Sequence, residues 1–371
     1  MIYNFRALLL LLLALGLAGC TVLGYYGQSI GGQLEVLNKR RPITGLLDDP
    51  ATPADLKLKL ELILKLRTFA SKELQLPEND SYRSYADLDR PYAVWNVYAA
   101  PEFSLTPKEW CFPFVGCVAY RGYFAKAEAE AYAAELQREG YDVHVGGVAA
   151  YSTLGWFHDP MLNTLIHRPE GELAGLMFHE LAHQKIYVRG DSAFNESFAT
   201  AVELEGARRW LAQYGTPQQL TDYLAGKQRQ ARFVALVQRS RARLAELYAS
   251  NQTDTDAPQG SGSVARGQGM TVATKRIAKA RIFSELRAEY ARQAGGGGLG
   301  DDYRRWFERD LNNARLVPIG VYHEHVAAFQ ALLAEEMGDW TAFYRRVQQL
   351  AELPKEQRHT QLNTFLSARL N

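Results

Sequence analysis

The sequence predicts an α+β fold that is mostly helical, with a small mixed or antiparallel sheet packed on a larger helical region. Between residues 91 and 147, β-branched and aromatic side chains cluster in short runs, which is typical of strands. From residue 172 onward, apolar side chains recur with helical spacing along almost the whole chain. No repeat of fixed period is found, so nothing points to a solenoid or another repeat fold.

The first residues carry a targeting signal rather than a part of the fold. Arg6 precedes an apolar run from Ala7 to Leu17, about half of the roughly 20 residues that a membrane-spanning helix needs. The run ends in Leu-Ala-Gly followed by Cys20, which resembles the lipobox of bacterial lipoproteins. The resemblance implies cleavage before Cys20 and lipid attachment to it, and the alternative is an ordinary secretory signal with a chance cysteine. Thr21, where aspartate would stand for inner-membrane retention, favours the outer membrane by resemblance to enterobacterial sorting.

The rest of the chain is predicted to form one globular domain with a sheet-bearing part followed by a helical part. A polar stretch rich in glycine and serine interrupts the helical part, and we expect it to be a mobile loop. The predicted segments are the signal peptide 1–19, the lipidated tether 20–30, the domain 31–371 with its two parts 31–171 and 172–371, and the loop 251–269.

The elements of the domain follow from local pattern. Strands are predicted at Tyr92–Tyr98, at Cys117–Phe124 and from Tyr141 onward. Between the last two, Ala125–Glu139 is a predicted helix that Gly140 ends. The other predicted helices are Gly31–Arg41, Ala54–Leu74, Glu172–Val188, Ala193–Tyr214, Pro217–Ser250, Thr271–Ala294, Val326–Glu335, Asp339–Leu350 and Glu356–Leu370.

Composition indicates a globular body and argues against a polyanionic ligand. Hydrophobic residues make up 47% of the 371 residues, enough for a substantial core, and the formal net charge is only +1. Nucleic-acid binders usually present a basic face, and this sequence has no excess of lysine and arginine. We therefore predict no nucleic-acid partner.

Cys111 and Cys117 are the two cysteines besides Cys20, and they lie in a short segment with proline and glycine. Such a loop can bring the two Cα atoms within bridging distance, and an oxidising periplasm favours a disulfide between them. A structural zinc site would need four ligands, and the sequence has no second cysteine pair. We predict a disulfide between Cys111 and Cys117.

An H-E-x-x-H motif, from His179 to His183, lies in an apolar helical run. Residues four apart leave the same helical face about one turn apart, so both imidazoles can bind one Zn²⁺ at about 2.0–2.1 Å. Glu180 lies beside them, where it can act as general base. The alternative is two ordinary histidines on a buried helix, but such a cluster without a metal would be costly. We predict Zn²⁺ bound by His179 and His183, with Glu180 as the base.

A catalytic zinc ion takes a third protein ligand and keeps one position open. After a tight turn, a second helix carries Asn-Glu-Ser-Phe-Ala, and antiparallel packing can aim the carboxylate of Glu196 at the metal. We predict Glu196 as the third ligand. Glu203, seven residues later on nearly the same face, is either the alternative ligand or an acceptor for an imidazole N–H. Asp191 is predicted to cap this helix.

The motif and the following glutamate resemble those of the gluzincin metallopeptidases, although His183 and Glu196 are closer in sequence than in thermolysin. The chain is also similar, over most of its mature length, to a family of bacterial lipoproteins described as predicted aminopeptidases. The resemblance implies a zinc-dependent peptidase that acts on peptides, is anchored to the envelope by lipid and faces the periplasm. The segments that carry the similarity are Asn96–Glu102, Trp110–Cys117, Tyr120–Phe124, Tyr151–Trp156 and Phe178–Gln184.

The predicted reaction is metal-assisted hydrolysis of a peptide bond, which needs a donor for the oxyanion besides the metal. Tyr151 and Tyr322 are the candidate donors, and His323 or His325 could serve instead. The other interpretation of the segment that holds the last three is a solvated helix start. Gly146–Tyr151 is predicted to be an exposed edge strand that pairs with the substrate backbone, and the alternative is a plain turn.

The sequence leaves alternatives for the function. An aminopeptidase needs an acidic group for the substrate amine, and the nearby candidates are Glu203 and Glu205 or a carboxylate that the sequence does not identify. We predict a peptidase, preferably an aminopeptidase, with an envelope endopeptidase as the alternative. Another alternative is a structural or assembly lipoprotein with an inactive zinc site, in which Glu180 would have no role. The sequence does not determine the oligomeric state.

Overall fold

The computed structural model describes residues 24–112, 116–149, 153, 157–249, 270–295, 298–321 and 325–367. Helices dominate this part of the chain, and the strands form small sheets, so the predicted α+β, mostly helical fold class is confirmed. The predicted signal peptide, Cys20 and the predicted loop 251–269 lie outside the described residues and remain predictions.

The elements are numbered in chain order. Helix α1 spans residues 24–38. The strands are β1 (Arg41–Pro42), β2 (Ser84–Ala86), β3 (Val94–Pro101), β4 (Trp110–Phe112), β5 (Gly116–Val118), β6 (Arg121–Tyr123), β7 (Tyr141–Val148) and β8 (Met161–Leu162). The other helices are α2 (Ile43–Asp48), α3 (Ala54–Lys72), α4 (Lys126–Arg138), α5 (Asn163–Ile166), α6 (Glu170–Lys185), α7 (Ser192–Tyr214), α8 (Pro217–Ala249), α9 (Val272–Gly295), α10 (Arg304–Glu308), α11 (Asn313–Val321), α12 (Val326–Glu335), α13 (Trp340–Ala351) and α14 (Lys355–Ser367).

The antiparallel sheet β6-β3-β7 is covered by α4 on one face. Val97 of β3 and Val143 of β7 belong to one apolar cluster with Leu136 of α4. Because side chains alternate along a strand, Tyr98 and His144, which are register partners, lie on the other face. That face packs against α11. A second, mixed sheet has the order β1-β2-β8.

The N-terminal boundary differs from the prediction. Helix α1 begins at residue 24 and so includes residues that were predicted as part of the tether 20–30. It forms there because it docks on the sheet, where the side-chain oxygen of Gln28 accepts from the Phe124 N–H at 3.0 Å. The helix also ends earlier than predicted, since Arg41 pairs with Tyr85 in the second sheet.

The predicted strand at 117–124 is divided into two strands. Ala119 and Tyr120 separate β5 from β6, and β5 forms a hairpin with β4. Cys111 and Cys117 are register partners in this hairpin, and their sulfur atoms lie 1.98 Å apart. The arrangement agrees with the predicted pairing of the two cysteines.

Helix α11 joins the helical region to the sheet, and helical periodicity did not predict it. Asn313, at its start, is fully buried and donates from Nδ2 to the carbonyls of Pro101, Glu102 and Ser104 at 2.9–3.1 Å. Its backbone N–H donates to Asp142 Oδ2 at 2.8 Å. Long-range hydrogen bonds of this kind have no signature in local sequence.

A buried ion pair attaches the C-terminal helix to the start of α7. Asp191 caps α7, as predicted, by accepting from the Phe194 N–H at 3.2 Å. The same carboxylate accepts from Arg358 of α14, and the two side chains are only 2% and 5% exposed. His359 also contacts Asp191, at 2.9 Å.

Replacing Arg358 with methionine should destabilise the protein, because the buried Asp191 carboxylate would lose its arginine partner and keep only His359 as a possible cation. We expect the free energy of unfolding to fall by about 3 kcal/mol, as measured by urea denaturation. Arg345→Met is the matched control, since Arg345 is exposed on α13 and should change stability by less than about 0.5 kcal/mol. Equal stability of the two variants would contradict a stabilising role for the ion pair.

Candidate metal centre

Helix α6 carries the two motif histidines on one face. Nε2 of His179 lies 3.2 Å from Nε2 of His183, and the His183 side chain is only 6% exposed. Phe178 and Leu181, on the opposite side of the helix, are fully buried in the helical core. The apolar faces thus fix the helix, while the two imidazoles converge toward α7.

The turn between α6 and α7 positions Glu196. Asn195 closes this turn with two hydrogen bonds of 2.7 Å, since its side-chain oxygen accepts from the Val188 N–H and its side-chain nitrogen donates to the Val188 carbonyl. The next residue, Glu196, faces α6 from the start of the second turn of α7. Its Oε2 atom lies 3.3 Å from His179 Nε2 and 3.7 Å from His183 Nε2.

The spacing of these three donor atoms matches that of ligands around one ion. Nε2 of His179, Nε2 of His183 and Oε2 of Glu196 are separated by 3.2, 3.3 and 3.7 Å. Two ligands of a tetrahedral ion with bonds of about 2.0–2.1 Å are themselves about 3.3 Å apart. The donor set of two imidazoles and one carboxylate, with three ligands rather than four, therefore fits a divalent metal with an open position.

Glu203 lies behind His179, on the side away from Glu196. Its Oε2 atom is 3.1 Å from His179 Nδ1, so it is placed to accept the N–H of this ring rather than to join the donors at Nε2. Gly175 makes this possible, since a Cβ at that position would lie 3.0 Å from Glu203 Cγ. The corresponding atom of the other ring, Nδ1 of His183, is buried without a hydrogen-bond partner among the described residues.

Lys227 of α8 completes this side of the site, and the sequence reasoning missed it. Its Nζ donates to Glu203 Oε1 at 2.6 Å, so one oxygen of the carboxylate contacts the lysine and the other contacts His179. Lys227 follows Glu203 by 24 residues on a different helix. No local motif marks it, and only the packing of α8 against α7 brings the two groups together.

Negative charge surrounds the His179 ring on both sides. Burial lowers the pKa of His179, but its hydrogen bonds with Glu196 and Glu203 outweigh burial and raise it well above its usual value. Burial raises the pKa of Glu196, but His183 and His179 outweigh it and lower the pKa. Burial also raises the pKa of Glu203, but His179 and Lys227 lower it to about 2. Both carboxylates are ionised at neutral pH, the state that favours a cation.

Glu180 is half-buried, and two tyrosines lie near it that the sequence reasoning did not select. Burial raises the pKa of Tyr82, and the charge of Glu180 adds to the effect. Burial also raises the pKa of Tyr120, followed by the charge of Glu196 and, more weakly, of Glu180. Both phenols are therefore protonated at neutral pH. Tyr120 lies between β5 and β6, and it belongs to one of the segments that carry the family resemblance.

The predicted oxyanion donors Tyr151, Tyr322 and His323 lie outside the described residues, so their roles stay predictions. His325 is described and is fully buried. Its backbone N–H donates to Ser197 Oγ at 3.1 Å, and its ring packs on His359 at 4.7 Å. It thus belongs to the buried junction between α7, α12 and α14.

Strand β7 lies at an edge of its sheet, as predicted, since among the described residues it pairs only with β3. The side chain of Asn312 donates to the Val143 carbonyl at 2.9 Å, so the backbone groups of Val143 point away from β3. By alternation along the strand, the backbone groups of Val145 and Gly147 also point outward. They form an open edge between the sheet and the helical region.

The two carboxylates considered for binding a substrate amine are already engaged. Glu203 contacts His179 and Lys227 as described. Glu205 accepts from Arg208 at 2.8 Å and from Arg209 at 2.7 Å. Neither is free to bind an amine without losing these partners.

The arrangement defines a candidate metallohydrolase site on an α+β scaffold. The chain belongs to the protein family described as "putative aminopeptidase", whose pattern matches residues 24–362. Searches of curated proteins and of solved structures found no match. Among the described residues, no helix combines the length and the apolar character that crossing a membrane requires.

Replacing Gly175 with alanine should weaken metal binding, because the new Cβ would displace Glu203 from His179. Loss of a partner behind a metal-binding histidine typically costs about 10- to 100-fold in metal affinity. Competition with a chromogenic chelator would measure the Zn²⁺ affinity. Gly45→Ala is the matched control, since Gly45 is also helical and no atom lies within 4 Å of its Cβ position. The same affinity in both variants would contradict a role for Glu203 in positioning the ring.

Proposed function

We propose that the protein is a zinc-dependent peptidase of the bacterial cell envelope, with aminopeptidase activity. The observation that carries the proposal is the 3.2–3.7 Å spacing of donor atoms on His179, His183 and Glu196. Membership of the family supports peptide-bond hydrolysis. The proposal adds the metal, the roles of the residues and the location.

His179, His183 and Glu196 would hold the zinc ion. When bound, Zn²⁺ would polarise the scissile carbonyl and lower the pKa of a water molecule toward about 7. Glu180, next to His179 on the same helix, takes a proton from the attacking water and passes it to the leaving amine. Glu203 accepts the N–H of His179 and thereby fixes the orientation of the ring.

Tyr120 is the described residue that we propose as donor to the developing negative charge on the scissile carbonyl oxygen. It is kept protonated by burial and by the charges of Glu196 and Glu180, so its hydroxyl can donate. A donor aimed at the charge that develops in the transition state lowers the activation barrier more than a donor aimed at the ground state. Tyr151 and Tyr322 remain the other candidates for this role.

The open edge of β7 is the proposed binding surface for the substrate backbone. Val145 and Gly147 direct their backbone groups outward, away from β3. Pairing of an extended peptide with such an edge supplies affinity without selecting side chains. Side-chain preference would therefore depend on other groups around the site.

The proposed location rests on the N-terminal sequence. Cys20 would carry the lipid that anchors the protein, and Thr21 favours the outer membrane. The sulfur atoms of Cys111 and Cys117 lie at bonding distance, which suits an oxidising compartment such as the periplasm.

Glu180→Gln tests the proposed chemistry. The amide cannot take a proton, so we expect kcat to fall by about 10²- to 10⁴-fold while the zinc content of the purified protein stays the same. Glu172→Gln is the matched control, since Glu172 is exposed on the same helix and should leave kcat unchanged. Peptide-library digestion and elemental analysis measure the two quantities. Unchanged hydrolysis by zinc-loaded Glu180→Gln would refute the assignment.

The same digest separates the alternatives. An aminopeptidase leaves N-terminally acetylated peptides intact, whereas an endopeptidase cleaves them. A zinc-loaded wild-type protein that cleaves neither kind would support a structural or assembly lipoprotein instead. The engagement of Glu203 and Glu205 leaves the group that binds a free amine unassigned, so this comparison decides the exopeptidase part of the proposal.

Tyr120→Phe tests the proposed donor. Removing one donor to the developing oxyanion typically lowers kcat by about 10²- to 10³-fold, with zinc content unchanged. Tyr82→Phe is the informative comparison, because Tyr82 also lies near Glu180, and exposed Tyr214→Phe is the control. If Tyr82→Phe alone loses activity, Tyr120 is not the donor.

A further inference from the structure

A buried arginine lies at one end of the polar face of the sheet, and it forms no ion pair among the described residues. Arg315 of α11 is only 5% exposed. Its Nη1 atom lies 3.4 Å from Nδ1 of His144, while Nε is buried without an acceptor among the described residues. Burial and the charge of Arg315 lower the pKa of His144 to about 3, so this histidine is neutral and supplies no counter-charge.

The groups around Arg315 do not neutralise it. The guanidinium lies 5.0 Å from the ring of Trp306, and this ring supplies no acceptor for Nε. Burial lowers the pKa of Arg315 to about 10, and the charges of Arg309 and Arg287 add to this effect, against a weak opposing effect of Asp310. The side chain therefore stays cationic at neutral pH. Buried cations in proteins are normally paired, so the missing acceptor at Nε indicates a place for an anion.

A row of aromatic side chains leads from Arg315 to Tyr120. The Tyr120 ring lies 5.9 Å from that of Tyr98, and burial together with the charge of Glu196 raises the pKa of Tyr120. The Tyr98 ring in turn is 6.1 Å from that of His144, the partner of Arg315. The row follows the face of the sheet that is next to the open edge of β7. An extended peptide rises about 3.3 Å per residue, so a few residues are long enough to reach from one end to the other.

We propose that Arg315 binds a carboxylate of the substrate and that the protein thereby prefers short free peptides, whose C-terminal carboxylate can reach it. This inference rests on the proposed function. Nε, which has no acceptor among the described residues, and Nη2 form the planar fork that binds a carboxylate through two parallel hydrogen bonds. The fixed distance from the metal centre to Arg315 would limit the length of the peptide.

The test compares peptides of three to six residues with a free or an amidated C-terminus. With the wild-type protein, amidation should lower kcat/KM by at least about tenfold, through KM, because a charge-assisted pair is lost. A second series has an amidated C-terminus and one glutamate near it. Recovery of activity in this series would assign the carboxylate to a side chain. Equal kcat/KM for acid and amide at every length, with no effect of glutamate, would overturn the proposal.

Variants test whether Arg315 causes the preference for a free C-terminal carboxylate. Arg315→Met should remove the preference for the free acid, and Arg315→Lys should retain part of it. Arg305→Met is the matched control, since Arg305 is exposed on α10 and its loss changes the net charge equally. Thermal unfolding checks that the variants are folded. A preference that persists in folded Arg315→Met would show that another group binds the carboxylate.

A binding measurement separates this inference from the proposed function. Zinc-loaded Glu180→Gln protein is titrated calorimetrically with the same acid and amide peptides. Tighter binding of the acid, lost in the double variant with Arg315→Met, supports the carboxylate site even if the wild-type protein hydrolyses no peptide. Hydrolysis without discrimination between acid and amide supports the proposed function and refutes the carboxylate site.

Discussion

The close antiparallel packing of α6 on α7 is the constraint on which the candidate site depends. Gly206 of α7 lies against the Phe178 ring so closely that a Cβ would come within 2.8 Å of it, and Gly175 of α6 faces Glu203 in the same way. At this separation Glu196, in the second turn of α7, contacts Nε2 of His179, and Glu203, two turns later, contacts Nδ1. A wider spacing would leave Glu196 and Glu203 too far away to contact both ring nitrogens.

The sheet-bearing part is joined to the helical region through the polar face of its antiparallel sheet, which packs against α11. Buried polar groups need partners in the protein interior, and Asn313 has them, because its side chain and backbone satisfy three carbonyls and the Asp142 carboxylate. Arg315, two residues later on the same helix, contacts His144 through Nη1, but its Nε atom has no acceptor among the described residues. Within one helical turn, Asn313 therefore links the two parts of the fold, whereas the hydrogen-bonding capacity of Arg315 is only partly used.

The sequence predicted the elements that depend on local interactions and missed those that depend on contacts between distant segments of the chain. Helices with a clear apolar face, such as α7 and α12, were predicted to within a residue or two, since their pattern is local. The early start of α1 and the whole of α11 were missed, because docking on the sheet determines both. The same reason explains why Glu196 could be selected from the sequence, whereas Tyr120, Lys227 and Arg315 could not: they lie on other elements, and no fixed spacing relates them to the motif.

The sequence by itself determined the chemical class of the candidate site. Four-residue spacing on a helix places two imidazoles on one face, and a short turn brings back a carboxylate, whatever surrounds them. Only the tertiary structure decided which side of the His179 ring each glutamate occupies, and that Glu205 is held by arginines. It also decided that the buried guanidinium of Arg315 lies beside His144 of β7. These outcomes depend on distances between elements far apart in the chain, which packing determines and local pattern does not.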